Sequence, residues 1–452
     1  MHIESRRLSR WDTLRLLVLV ALPSILWGLV AANRRLVGLL VRLDAGRRTL
    51  CLLEQLRRKY GCGHLWTWFP VRRTLLVLDP ESADAVLRAD ANAADPALKK
   101  RALSRFAPDA LVISSGAAWP ERRAFNEAAL GFGALHAHCD AFREIAFDEA
   151  RGLVGEGART LSWPDFERLG LRVSHQVILG RGRIEPAMAE HLGRLVARGN
   201  WLLPRNRRAY AAFHAGIEEH LARLQEGGGA EPGAGARPSA GCLLHDAAAL
   251  LGRRSFASSL RAPSQIAFWL FVLKDAVELH VARTLALIAA HAEVQERVRR
   301  EVRATPDPGA REIDRFEYLG ACIEEQLRLW TPVPILLRRA TRPFRLRGEI
   351  PVEADEQLFV HAGLFHRDPG QVGELADCFS PAAVSGTSPP VYFFSRHRQS
   401  CAGESLVRFV LKAVLAGLLE RFRFELVRPG IVPARIPHLY DHFKIALRPC
   451  RE

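Results

Sequence analysis

Residues 318–334 read YLGACIEEQLRLWTPVP. Their apolar pattern predicts a helix from Phe316 to Trp330, which ends as the chain enters a Pro-rich turn. Glu325 and Arg328 stand at i and i+3, close enough to pair, although such pairs commonly decorate helix surfaces. Towards the C-terminus, short strands are expected near Ile335 to Leu346 and Leu358 to Val360. An irregular Gly- and Pro-rich stretch should follow from Asp368 to Tyr392, then a helix from near Cys401 to about Glu420. Strand-like segments at Phe422 to Val427 and Phe443 to Leu447 close the chain. Towards the N-terminus, the longest helix signal runs from about Ser264 to Ala290 and continues into HAEVQERVRREV. Before it, Gly227 to Gly241 is low in complexity and reads as a surface loop within one domain. Trp119 to Gln225 is helix-patterned, with breaks around Gly131, Gly155, Gly180 and Pro204. A β-hairpin is expected over Leu65 to Leu78, and Pro80 should open a helix. The reading is a mostly helical fold with a small β portion. Its domain spans 49–452, preceded by an apolar and basic segment over 1–48.

The chain has 452 residues, of which 48% are hydrophobic and 25% charged, enough to bury a large core. The net charge is +15, carried mainly by Arg. These Arg residues form no dense tract, which argues against nucleic acid, and a GC-rich genome scatters Arg in the same way. The eight Cys are widely separated, without a C-x-x-C pair, and read mostly as reduced thiols in a cytoplasmic protein. The one His-rich spot, His136, His138 and Cys139, lacks a second ligand pair at zinc-site spacing. Leu16 to Ala32 (LLVLVALPSILWGLVAA) is short for a span and interrupted by Pro23. Arg residues flank it on both sides, so membrane anchor and buried or interfacial helix both stay open.

Four groups could carry chemistry. Cys401, in FFSRHRQSCAGESLVRF, lies just before a predicted helix, whose N-terminal amides favour a thiolate. Gly403 would let a flat cofactor approach the backbone. A single Cys at such a junction is more often an ordinary buried thiol. Trp119 and Arg123, one turn apart in WPERRAFNEAAL, could place a guanidinium on a carboxylate, or could be a core Trp beside a solvated Arg. Asp275, in the apolar run FWLFVLKDAVEL, needs a partner or a function unless it shares a polar face with Lys274 and Glu278. Glu325 and Arg328 are the fourth group.

Their order, together with HRDP at His366 to Pro369 and a Phe-(six residues)-Cys-x-Gly ending at Gly403, resembles the cytochromes P-450 over about residues 50 to 452. The resemblance implies haem b, with Cys401 as axial thiolate to the iron. Trp119 and Arg123 would contact one propionate and Arg338 another. Asp275 would be the catalytic acid, and Glu325 with Arg328 a structural brace. It also implies a monooxygenase, of the kind met in bacterial secondary metabolism, acting on a small apolar organic substrate. A ferredoxin-type partner would dock on Arg367, Arg396, Arg398, Arg408 and Lys412.

The sequence departs from the family pattern in three places. His397 stands where Gly is usual and Gln399 where Arg or His is usual, so that Arg398 or His397 would take over one propionate contact. Ala383 replaces the usual third partner of the Glu–Arg pair, which would loosen that brace. Asp275 is followed by Ala276 instead of Thr, with the nearest hydroxyl on that helix at Thr284. The alcohol normally supports proton delivery. Its absence keeps two alternatives open: a peroxygenase or isomerase/dehydratase, and a non-catalytic haem-binding protein.

Overall fold

The computed structural model describes residues 7–69, 71–88, 101–155, 159–226, 241–253, 256, 259–384 and 392–451. Helices of nine or more residues, numbered in chain order, are α1 (Arg34–Arg42), α2 (Ala45–Tyr60), α3 (Pro80–Arg88), α4 (Ala118–Leu130) and α5 (Cys139–Val154). They continue with α6 (Trp163–Leu179), α7 (Pro186–Asn200), α8 (Arg207–Gln225), α9 (Leu243–Arg253) and α10 (Ala262–Ala290). The last three are α11 (Ala292–Arg303), α12 (Glu317–Leu329) and α13 (Glu404–Leu419). The strands are β1 (His64–Trp68), β2 (Arg73–Val77), β3 (Leu161–Ser162), β4 (Ile335–Arg339), β5 (Phe344–Leu346), β6 (Ile350–Val352), β7 (Gln357–His361), β8 (Arg423–Arg428) and β9 (Ala446–Cys450). The mostly helical class with a small β portion is as predicted. The stretch expected to be irregular instead holds helical turns at Pro369–Val372, Gly373–Asp377 and Pro381–Val384, and 385–391 lie outside the described residues. So do 227–240, on which the loop reading fell.

The chain divides into two compact units. The first comprises Met1–Lys100, Glu324–Cys401 and Ile431–Asp441. Its four-stranded sheet has the order β1-β2-β7-β4, with β2 and β7 parallel and the other pairs antiparallel. Leu75, Leu76, Val77, Leu358, Phe359 and Val360 make β2 and β7 apolar on both faces, as fits strands buried on both sides. Leu52, Leu53 and Leu56 of α2 join the same core.

The N-terminal helical run of this unit, residues 10–27, contains Pro23. Proline has no N–H to give to the carbonyl of Leu19, four residues back. The helix passes through a π segment at Leu17–Ala21, and the Thr49 hydroxyl donates to Leu19 O at 2.5 Å. Asp12, Leu16 and Val20 point inward, where Asp12 accepts from Lys59 at 2.5 Å and Tyr60 at 2.8 Å. No helix among the described residues is long and apolar enough to cross a membrane.

The second unit comprises Arg101–Ile323, Ala402–Gly430 and His442–Glu452. Its axis is α10, whose residues from Val277 to Ile288 are nearly all buried, against α6 and α13. Gly170 of α6 is needed for that approach, because a Cβ there would stand 2.8 Å from Lys274 O and 2.9 Å from Glu278 Cβ. A small antiparallel sheet, β3-β9-β8, belongs to the same unit.

Candidate functional site

In the first unit, a loop runs from Tyr392 to Cys401. Its start is pinned: the Tyr392 N–H donates to His366 Nε2 at 2.8 Å, and the two rings stack 6.0 Å apart. His366 is therefore an acceptor, and burial keeps it neutral by pushing its pKa down to about 3. The Ser395 N–H bonds Tyr392 O, the Ser400 N–H bonds His397 O, and the Cys401 N–H returns to Phe394 O at 2.8 Å. The loop thus closes on itself and leaves Cys401 exposed at its end, three residues before α13.

The loop uses left-handed backbone at Ser395 (φ 57°) and His397 (φ 59°). That explains why Gly suits position 397, since only Gly adopts this region without strain. Here the His is held instead by Asp84: His397 Nε2 lies 3.0 Å and Arg396 Nη1 3.2 Å from its carboxylate. Burial would raise the Asp84 pKa, but the hydrogen bonds from His397 and Arg88 outweigh it and hold the carboxyl below its usual range. Arg338, on β4, reaches the same loop with Nη2 3.4 Å from Ser395 Oγ. Arg398 is exposed.

Glu325 and Arg328 are 1% exposed each, and the expected loosening of their brace does not appear. Arg328 Nε and Nη2 donate to the Glu325 carboxylate at 2.6 and 2.7 Å. The guanidinium also binds the carbonyls of His366 and Ala376 through Nη1, and those of Leu375 and Cys378 through Nη2. The Ser380 N–H adds a bond to Glu325 Oε1 at 3.0 Å. Backbone groups do the work assigned to a third side chain, so the replacement at Ala383 leaves the pair satisfied.

Arg367 is not on a docking surface. It is buried, bonding Leu329 O, Ile436 O, Pro437 O and Asp377 Oδ1 at 2.6 Å, and desolvation lowers its pKa to about 10. Arg408 and Lys412, in the second unit, are half-buried: Arg408 pairs with Glu404 at 2.9 Å, and Lys412 donates to Asp314 O at 2.6 Å. Charge read from sequence does not reveal which cations folding spends internally.

Also in the second unit, Trp119 is half-buried at the start of α4 and Arg123 is buried one turn on. Arg123 Nε donates to Glu127 Oε1 at 2.7 Å, and its guanidinium lies 4.9 Å over the Phe132 ring. The neighbouring Arg122 serves folding, binding Ser259 O, Ser114 Oγ and Asp109. On α10, burial holds the Asp275 carboxyl above its usual range, with Lys274 and Arg283 opposing. A polar face shared by Asp275, Lys274 and Glu278 is one alternative that the sequence leaves open, but Glu278 is 7% exposed. Burial and the nearby Asp275 raise its pKa to about 8, against Lys274, whose Nζ is 2.5 Å away. The signal was present as a second carboxylate one turn along an apolar helix. No local signal pointed to Asp84, because His397 is 313 residues away.

Gly403, the N-cap of α13, has φ −101°, which any residue adopts. A Cβ there would meet only Leu130 Cδ1 at 3.7 Å, an ordinary contact. Neither backbone nor packing requires this glycine, two residues after the exposed thiol. A soft sulfur donor followed by a backbone left bare fits a large flat group that the chain itself does not supply.

The cytochrome P-450 family model matches residues 280–438. Cytochrome P-450 734A6 of Oryza sativa is 30% identical over 153 residues, 31% of this chain and 28% of that protein. Cytochrome P-450 monooxygenase xanG of Aspergillus fumigatus is 32% identical over 162 residues, 32% of this chain and 29% of that protein. These matches therefore span under a third of the relatives' own length. Among solved structures, CYP175A1 of Thermus thermophilus overlies 90% of this chain and 96% of its own at TM-score 0.64 and 22% identity. The retinoic acid-bound cyanobacterial CYP120A1 overlies 88% of this chain and 94% of its own at TM-score 0.69 and 18% identity. The residues matched by the family model hold the Glu–Arg pair and the Cys401 loop, and over nearly its whole length the chain has the fold of the cytochromes P-450.

Proposed function

We propose that this chain is a haem-thiolate monooxygenase that holds haem b through Cys401 Sγ and inserts one oxygen atom from O2 into a small apolar organic substrate. A separate ferredoxin-type protein would deliver the electrons. The observation that carries this reading is the closed loop that leaves Cys401 exposed, two residues along the chain before a glycine that neither backbone nor packing requires. Haem bound to a thiolate supplies oxygen activation, because the thiolate pushes electron density towards O–O cleavage.

The residues of the chain then divide the remaining tasks. Arg338, Arg398, Trp119 and Arg123 orient the propionates, for which guanidinium groups are geometrically suited. Glu325 and Arg328 fix the backbone carbonyls of residues 375–378. Burial disfavours the charged form of Asp275 and raises its pKa, which suits its carboxyl to proton delivery where the usual alcohol is missing. Arg398 lies exposed on the surface, where its positive charge would suit an acidic redox partner.

The test is the spectrum of the reduced, carbon monoxide-bound protein, wild type against Cys401→Ser. A thiolate signature in the wild type and its loss in the variant are expected; a spectrum indifferent to the substitution would sink the assignment. Ala276 beside Asp275 favours a second reading, a peroxygenase or isomerase. Turnover on a hydroperoxide alone, with none from NAD(P)H, O2 and a reductase system, would establish it instead.

The N-terminal helix supports contact with a membrane surface without a span. Trp11, Leu14, Val18, Leu22 and Ile25 are exposed along one stripe, opposite the buried Asp12, Leu16 and Val20. Exposed Arg10, Arg34, Arg35 and Arg42 flank it, as suits an anionic lipid surface.

A further inference from the structure

In the second unit, two segments distant in sequence bring metal-ligating side chains together. His136 and His138 lie just before α5, and His245 and Asp246 lie in the first turn of α9. One ligand atom from each of His138, His245 and Asp246 lies within 4.8 Å of the other two. His138 Nε2 is 3.0 Å from Asp246 Oδ1. The His138 and His245 rings stand 6.4 Å apart, inclined at 68°. An ion pair between His138 and Asp246 accounts for two of these residues but not for the third. Among the described residues the His245 side chain makes no hydrogen bond, while its backbone N–H donates to Cys242 O.

The surroundings position the cluster. The His138 N–H donates to His136 Nδ1 at 3.1 Å, so neutral His136 carries its proton on Nε2. That Nε2–H donates to Ala129 O at 3.2 Å and lies 3.5 Å from Asp246 Oδ2. Both nitrogens of His136 are thus engaged by the backbone, and its ring stands beside Asp246 outside the cluster. Gly241, just ahead of α9, takes φ 127°, where a Cβ would stand 3.8 Å from His138 Cβ and 3.0 Å from Ala141 Cβ. The chain entering α9 is therefore seated against the His138 segment.

We infer that His138, His245 and Asp246 form a zinc-class divalent metal site that ties the start of α9 to the α4–α5 junction. Two imidazoles and one carboxylate are a donor set that zinc takes readily, with water in the fourth position. Tetrahedral zinc at about 2.0–2.1 Å from each donor sets the donors about 3.4 Å apart. The present spacing brackets that value. His138 and Asp246 are half-buried and bonded to each other, and His245 is exposed. This site is independent of the haem assignment.

The experiment is calorimetric titration of the haem-loaded, chelator-treated protein with Zn2+, with Mg2+ as the hard-cation control. One Zn2+ per chain and no Mg2+ response are expected in the wild type. His245→Ala, at an exposed position, and Asp246→Asn should each weaken Zn2+ at least about ten-fold. Zn2+ should also raise the Tm of the wild type and leave that of His245→Ala unchanged, because a ligand bound only by the folded state stabilises it. Absence of stoichiometric Zn2+ binding in the wild type, or equal affinity in both variants, would overturn the proposal.

Discussion

Glu278 shows how one buried side chain can couple the stability of this protein to pH. Its folded pKa of about 8 lies above the ordinary carboxyl value of 4.5, with burial the main cause and Lys274 opposing. Between these two values the folded state binds the proton that the unfolded state has released. Stability is then fully present below about pH 4.5 and declines as pH rises towards 8, by at most about 1.4 kcal/mol per pH unit. Glu278→Gln should flatten that slope in denaturant titrations across the window; an unchanged slope would place Glu278 in its ordinary ionised state. Arg328 shows the opposite economy. Its guanidinium is buried but saturated by one carboxylate and four carbonyls, so the charge is stabilised where it sits.

At the scale of an element, the N-terminal helix illustrates how a helix-breaking residue is accommodated. Pro23 frees a carbonyl, the backbone widens into a π segment, and the Thr49 hydroxyl fills the gap from α2. Thr49→Val keeps the shape but leaves Leu19 O without that donor. It should cost about 1–3 kcal/mol of stability in denaturant unfolding, whereas Thr49→Ser should cost much less. The outward stripe of the same helix makes a second prediction. Replacing exposed Val18 and Leu22 by Ser should weaken sedimentation with anionic phospholipid vesicles several-fold while leaving the Tm nearly unchanged, since neither side chain is in the core. Wild-type protein that stays in the supernatant at low salt would refute the membrane-surface role.

At the scale of the whole molecule, the strongly basic composition has partly local explanations, since Arg328 and Arg367 are consumed in the interior. The sequence by itself determined the local facts: the helix carrying Glu325 and Arg328, the hairpin of β1 and β2, the long α10 with its central acid, and a Cys just ahead of a helix. Each follows from backbone hydrogen bonding and side-chain periodicity over neighbouring residues, whose distances the chain itself fixes. Only the tertiary structure decided which polar groups are buried and what they meet. Asp84 steadies the Cys401 loop from 313 residues away, Asp246 reaches His138 across 108, and Arg367 leaves the surface for a cage of carbonyls. Those outcomes depend on which distant segments condense together. Spacing along the chain does not carry that information, because burial and charge pairing are set by neighbours in space.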